Sequence, residues 1–167
     1  RGFFYESWNK KKFNKIIDEN INFVQDNNSN SKKGVLRGLH YQSIFAPQGK
    51  LVRCTSGEIF DVFVDLRLSS KTFGKWAGIE LNTLNKNIVW IPEGFAHGFL
   101  TLSQTADVEY KTTNFWNKKE EKTIIWNDKK LNIKWPIEKI GLNNLTISEK
   151  DMSADSFVEQ IKRGHIF

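Results

Sequence analysis

Short runs of alternating apolar and polar residues fill the middle of the chain. In "EIFDVFVDLR", residues 58–67, Phe60, Val62, Val64 and Leu66 fall on one face and Asp61, Phe63 and Asp65 on the other, which is the period of a β-strand. Further runs follow as "KWAGIEL", "NIVWI", "HGFLTL", "ADVEYKTT" and "KTIIW", punctuated by turn residues that include Gly57, Gly74, Asn85, Gly94 and Asn117. Ahead of them, "WNKKKFNKIIDE" at residues 8–19 spaces Trp8, Phe13, Ile16 and Ile17 at near-helical intervals and predicts one short amphipathic helix. The strands recur without the helical segments that a parallel βαβ sheet needs. The pattern therefore predicts an all-β antiparallel barrel or double-sheet jelly roll with a few short peripheral helices. From about Asn127 the periodicity weakens, and a short helix is expected near "SADSFVEQIKR" after a Ser or Asp cap.

Length and composition narrow the function classes. The 167 residues suit a single domain spanning 1–167 that buries enough surface to fold without a disulfide or metal staple. Cys54 is the one cysteine, so an internal disulfide framework is excluded. No segment has the form of a signal peptide and no apolar run approaches the roughly 20 residues of a membrane span, so a cytoplasmic placement without membrane attachment is expected. The chain opens at Arg1 rather than a methionine, which leaves room for an upstream segment. The net charge of +6 suits an anionic partner. The lysines are dispersed among acids and asparagines rather than gathered in a stripe, which argues for a small anion over nucleic acid.

The chemistry-bearing residues are few. Only His40, His97 and His165 occur, with Gln42 rather than a ligand two positions after His40, so no cluster has metal-ligand spacing and a metal is not expected. In "GVLRGLHYQ", Arg37 and His40 stand among residues suited to packing. Strict alternation sends positions 37 and 40 to opposite faces unless a bulge intervenes, and Gly38 permits one. His40 by itself reads as a core histidine or as a base. Lys50 enters the next strand, where a partly buried ammonium is costly unless it meets an anion. Tyr110 shares a face with Ala106 and Val108 and reads as core aromatic or as an acid; Asp151 reads as a loop or cap aspartate or as a partner for histidine. Together a histidine base, an orienting carboxylate, a tyrosine acid and a lysine for an oxyanion are the groups that proton abstraction beside a ketone requires.

The segments "RGFFYESW", "GVLRGLHYQ", "KLVRCTSGEIFDVFVDLR", "TFGKWAGIEL", "IPEGFAHGFL", "YKTTNFW" and "LTISEKD" resemble, in order and over essentially the whole chain, the dTDP-4-dehydrorhamnose 3,5-epimerase family. The resemblance implies a cupin-type jelly roll, a homodimer and no metal or other cofactor. It implies that His40 is the general base, Asp151 its orienting partner, Tyr110 the acid on the opposite face of the sugar, and Lys50 the group that stabilises the enolate. It places Arg1, Phe4, Glu6, Gln25, Asn27, Arg37, His97, Glu121 and Lys150 among the positions that hold the nucleotide, its diphosphate or the sugar. It also implies that the N-terminal strand is exchanged between subunits, so that Arg1 and Glu6 serve the neighbour's site. Trp116 departs from the tyrosine common in the family at the position that stacks on thymine; indole offers a larger π surface. The implied substrate is dTDP-4-dehydro-6-deoxy-D-glucose, inverted at C3 and C5. A C3-only epimerase of a related 4-keto sugar and a non-catalytic sugar-nucleotide-binding cupin are the alternatives.

Overall fold

The computed structural model describes residues 1–141 and 145–167. Helix α1 (Lys10–Ile17) is followed by strands β1 (Gln25–Lys32), β2 (Leu36–Gln42), β3 (Lys50–Ser56), β4 (Glu58–Asp65), β5 (Trp76–Asn82), β6 (Ile88–Ile91), β7 (Phe95–Thr101), β8 (Thr105–Thr112) and β9 (Glu121–Thr123), then by short helices α2 (Glu149–Met152) and α3 (Phe157–Lys162). The strands form a four-stranded sheet in the order β1-β8-β3-β6 and a five-stranded sheet in the order β5-β4-β7-β2-β9, each pairing antiparallel. This is the double-sheet jelly roll that the alternation predicts. Among the described residues no helix is long and apolar enough to cross a membrane.

Apolar side chains of both sheets meet between them. Val52 and Cys54 of β3, Ala106 and Val108 of β8, and Ile59, Leu81, Ile91 and Phe99 make one buried cluster, with Phe63 and Tyr110 packed against it. A second cluster lies on the other face of the five-stranded sheet. There Val62, Val64 and Leu66 meet Ile124, Leu131, Trp135, Ile140, Phe157 and Ile166 from the C-terminal third. Strand β4 is thus covered on both faces, and its two aspartates, Asp61 and Asp65, are completely buried. The C-terminal third shows little periodicity because it is a covering layer of loops and short helices. Within it α3 starts at Ser156, whose hydroxyl and Glu159 form a reciprocal capping box.

Two elements differ from the sequence expectation. Helix α1 begins only after Asn9, whose side chain accepts from the Lys12 N–H, and it buries none of its residues; Ile16 is exposed. Trp8 and Phe13 instead stack with Phe23 and Trp90 in an aromatic cluster. Strand β1, "QDNNSNSK", has no apolar alternation to announce it. It forms because all eight of its residues pair in register with β8, placing polar Gln25, Asn27, Ser29 and Ser31 on the less exposed side.

Candidate active site

His40 and Asp151 meet although 111 residues separate them. The register of β2 on β7 shifts between Arg37 and His40, at the glycine where the sequence permits a bulge. Gly38 has φ +120°, and a Cβ there would lie 2.6 Å from the Gly98 Cα and 2.8 Å from the His97 carbonyl oxygen. Only glycine fits this close crossing of two strands. The shift turns His40 toward α2, where Ser148 caps the helix by accepting from the Asp151 N–H. Asp151 Oδ1 is 2.7 Å from His40 Nε2, and its Oδ2 accepts from the Gly38 N–H at 3.2 Å. A carboxylate accepts, so Nε2 carries the imidazole proton and Nδ1 presents its lone pair. Burial, the largest influence, pushes the Asp151 carboxyl up, but the hydrogen bonds from His40, Gly38 and Ser148 and the attraction of His40 outweigh it and hold the group below its usual value. The dyad is therefore poised with the carboxylate charged.

Lys50 opens β3 almost wholly buried. Its Nζ donates to the His40 carbonyl oxygen at 3.3 Å and lies 5.9 Å from the centre of the Tyr110 ring. Burial lowers its pKa to about 8, against the attraction of Asp61 and Glu121. Tyr110, on β8, is half-buried, and burial raises its pKa, assisted by Glu121 and opposed by Arg37. It remains a protonated donor at neutral pH. Base, ammonium and phenol thus occupy one end of the space between the sheets.

A second histidine–carboxylate pair lies beside the first. His97 on β7 is the register partner of His40, and its Nε2 is 2.7 Å from Asp61 Oδ1, both groups buried. Asp61 Oδ2 is buried without a hydrogen-bond partner among the described residues. Sequence reasoning placed Asp61 on the polar face of its strand and gave it no role. A signal was present, because its same-face neighbours Ile59 and Phe63 are apolar, and an acid between two core positions needs a reason.

The remaining candidates are placed as follows. Gln25 Nε2 donates to Asn27 Oδ1 at 2.8 Å, and Asn27 is the register partner of Tyr110. Glu121, the register partner of Gln42, accepts from Lys150 Nζ at 2.6 Å, next to Asp151 in sequence. Arg37 is exposed and donates from Nε to Ser31 Oγ at 3.0 Å. Trp116 is 55% exposed. Arg1, Phe4 and Glu6 lie in the exposed segment ahead of α1; Glu6 binds Lys12 and Asn9, and Phe4 is fully exposed. These three are not brought to His40 within the chain. A hollow of about 380 Å³ is lined by Trp8, Arg53, Glu109 and Lys111 and also by Asn27 and Tyr110 of the candidate site; its charges are paired within the sheet, Arg53 with Glu109 and Lys111 with Asp26. It holds no acid–base pair of this kind. Among the described residues no group of three or more His, Cys, Asp or Glu is placed to hold a metal ion.

An oriented histidine, a buried ammonium and a protonated tyrosine gathered in a jelly roll are suited to acid–base chemistry. The model of the dTDP-4-dehydrorhamnose 3,5-epimerase family matches residues 1–159. Over 159 residues the chain is 54% identical to the dTDP-4-dehydrorhamnose 3,5-epimerase of Shigella flexneri, covering 95% of this chain and 85% of that protein. It is 52% identical to the same enzyme of Pseudomonas aeruginosa, again with 95% and 85% coverage. A solved structure of dTDP-6-deoxy-D-glucose-3,5-epimerase from Legionella pneumophila, in complex with dTDP-4-keto-L-rhamnose, superposes with a TM-score of 0.91 at 46% identity, covering 99% of this chain and 85% of that one. The chain belongs to the dTDP-4-dehydrorhamnose 3,5-epimerase family.

Proposed function

We propose that this protein inverts C3 and C5 of dTDP-4-dehydro-6-deoxy-D-glucose to give dTDP-4-dehydro-L-rhamnose, a step toward a rhamnose donor for surface polysaccharide. The observation that carries the reading is the His40–Asp151 contact at 2.7 Å, set beside Lys50 and Tyr110 rather than isolated in the core. His40 Nδ1 takes the proton from the carbon next to the C4 ketone. The C–H electrons become a C=C bond, and the ketone oxygen takes up the negative charge. The Lys50 ammonium faces that charge in a water-poor site, where one fixed donor is worth about 3–4 kcal/mol of barrier. Tyr110 then returns a proton to the opposite face, which inverts the carbon. Asp151 holds the imidazole and stabilises the imidazolium formed.

His97, fixed by Asp61, supplies a hydrogen-bonding wall for the sugar. Arg37, Gln25, Asn27, Glu121 and Lys150 serve the nucleotide and diphosphate, where an arginine fork or a lysine charge suits phosphate. Trp116 offers its exposed ring to thymine. The exposed Arg1, Phe4 and Glu6 fit a homodimer in which each N-terminal segment reaches the partner's site, with the whole chain acting as one domain. A nucleotide-linked substrate agrees with the cytoplasmic placement expected from the sequence. Incubation with the substrate in heavy water tests the activity. Deuterium at both carbons is expected, label at C3 alone would reduce the reaction to a single epimerisation, and no label in folded protein would overturn the proposal.

A further inference from the structure

Two glutamines hold the main chain around an exposed tryptophan, Gln42 on either side of it and Gln25 at its own N–H. Gln42, at the end of β2 and 3% exposed, donates from Nε2 to the Ala46 carbonyl at 2.7 Å and to the Phe115 carbonyl at 3.2 Å. Its Oε1 accepts from the Asn117 N–H at 2.5 Å. Between those two contacts, the Trp116 N–H donates to Gln25 Oε1 at 3.1 Å. Three consecutive residues, Phe115 to Asn117, thus have a backbone group tied to a glutamine amide, while all three stay exposed to solvent.

An exposed segment with no buried apolar anchor is ordinarily among the least stable parts of a fold. Here the anchor is polar and comes from the strand that carries the base, since Gln42 lies two residues after His40 and on the same side of β2. Both amide protons and the carbonyl oxygen of Gln42 are engaged, so replacing it leaves one buried and two partly buried backbone groups without this partner. The same amide ties the segment after β2 to the segment after β8, and the Ser43 N–H adds a bond to the Glu120 carbonyl at 2.9 Å.

We infer that Gln42 is a positioning residue for nucleotide binding: it fixes the Trp116 ring relative to His40, so that gripping the base places the sugar at the dyad. The inference rests on the epimerase reading for the identity of the ligand. It is separable from that reading, because binding of dTDP alone needs no turnover.

The test is calorimetric binding of two probes, dTDP and inorganic pyrophosphate, to the wild-type chain, Gln42→Met, Trp116→Ala and the double variant. Gln42→Met is expected to weaken dTDP about tenfold and pyrophosphate, which has no base, by less than about twofold; in the double variant dTDP binding is no weaker than in Trp116→Ala alone. Unchanged dTDP affinity in Gln42→Met, or an equal loss for both probes, would overturn the inference. Amide hydrogen exchange on the wild-type chain covers the case in which Gln42→Met does not fold. Asn117 should exchange far more slowly than its exposed neighbour Lys118, and equal rates would also overturn the inference. If wild-type protein incorporates deuterium while Gln42 proves indifferent, the positioning role falls alone; if dTDP binding depends on Gln42 but no deuterium is incorporated, the epimerase reading falls alone.

Discussion

His40–Asp151 and His97–Asp61 are two versions of one pair, on adjacent strands and in register, each with a 2.7 Å contact from Nε2 to a carboxylate oxygen. They differ in access. The His40 side chain is 31% exposed and that of His97 is 7% exposed. They also differ in what surrounds the acid. Asp151 receives His40 and the Gly38 N–H, whereas the second oxygen of Asp61 has no partner among the described residues and its charge acts on Lys50. A base must reach substrate and exchange its proton, so the open pair is suited to chemistry. The closed pair is suited to shaping the wall and holding the lysine charge.

The largest effect should come from breaking the open pair. His40→Ala removes the proposed base, and kcat should fall about 10³–10⁴-fold, toward the upper end of the usual range for general base catalysis, with dTDP affinity retained in a calorimetric check. Next is Lys50. Its Lys50→Met variant should lose about 10²–10³ in kcat, as expected for one oxyanion donor. In the wild type, kcat/KM should decline as pH rises through about 8, where Lys50 loses its proton. Stability should move the other way: between about 8 and the ordinary lysine value the unfolded chain binds the extra proton, so the Lys50 contribution favours the fold more as pH rises. A denaturant series across that window separates the two trends, and the high-pH limb of kcat/KM should vanish in Lys50→Met.

Breaking the closed pair should cost less. Asp61→Asn leaves a hydrogen-bonding group on His97 but removes the charge that favours the Lys50 ammonium. The expected loss in kcat/KM is about tenfold, with the high-pH limb displaced downward. A larger loss than in His40→Ala would reverse the roles of the two pairs. The smallest effect should come from Trp116→Tyr, which keeps an aromatic face at the position proposed to stack on thymine and should change KM by less than about threefold.

The two pairs were unequally legible in the sequence. His40 stood out because a polar residue in "GVLRGLHYQ" breaks an apolar strand, and Gly38 marked the place where the strand adjusts. Asp151 could not be joined to it by local reasoning, because the four residues of α2 are too few to show a period. Only the family resemblance linked the two. Asp61 escaped because one-face reasoning assumes that a strand has a wet side, and β4 has none. Strand β1 escaped for the opposite reason: its alternation is written in Gln, Asn and Ser and is enforced by pairing with β8. The barrel was legible because β4, β7 and β8 carry their own patterns. In the C-terminal layer only α3 was legible, from its Ser cap; the rest packs through irregular segments with no period to read.

The most direct test follows deuterium at C3 and C5 of dTDP-4-dehydro-6-deoxy-D-glucose in heavy water with His40→Ala and His97→Asn side by side. Exchange should be lost at both carbons in His40→Ala and persist, slowed, in His97→Asn. Exchange that survives in His40→Ala and disappears in His97→Asn would contradict the assignment of His40 as the base.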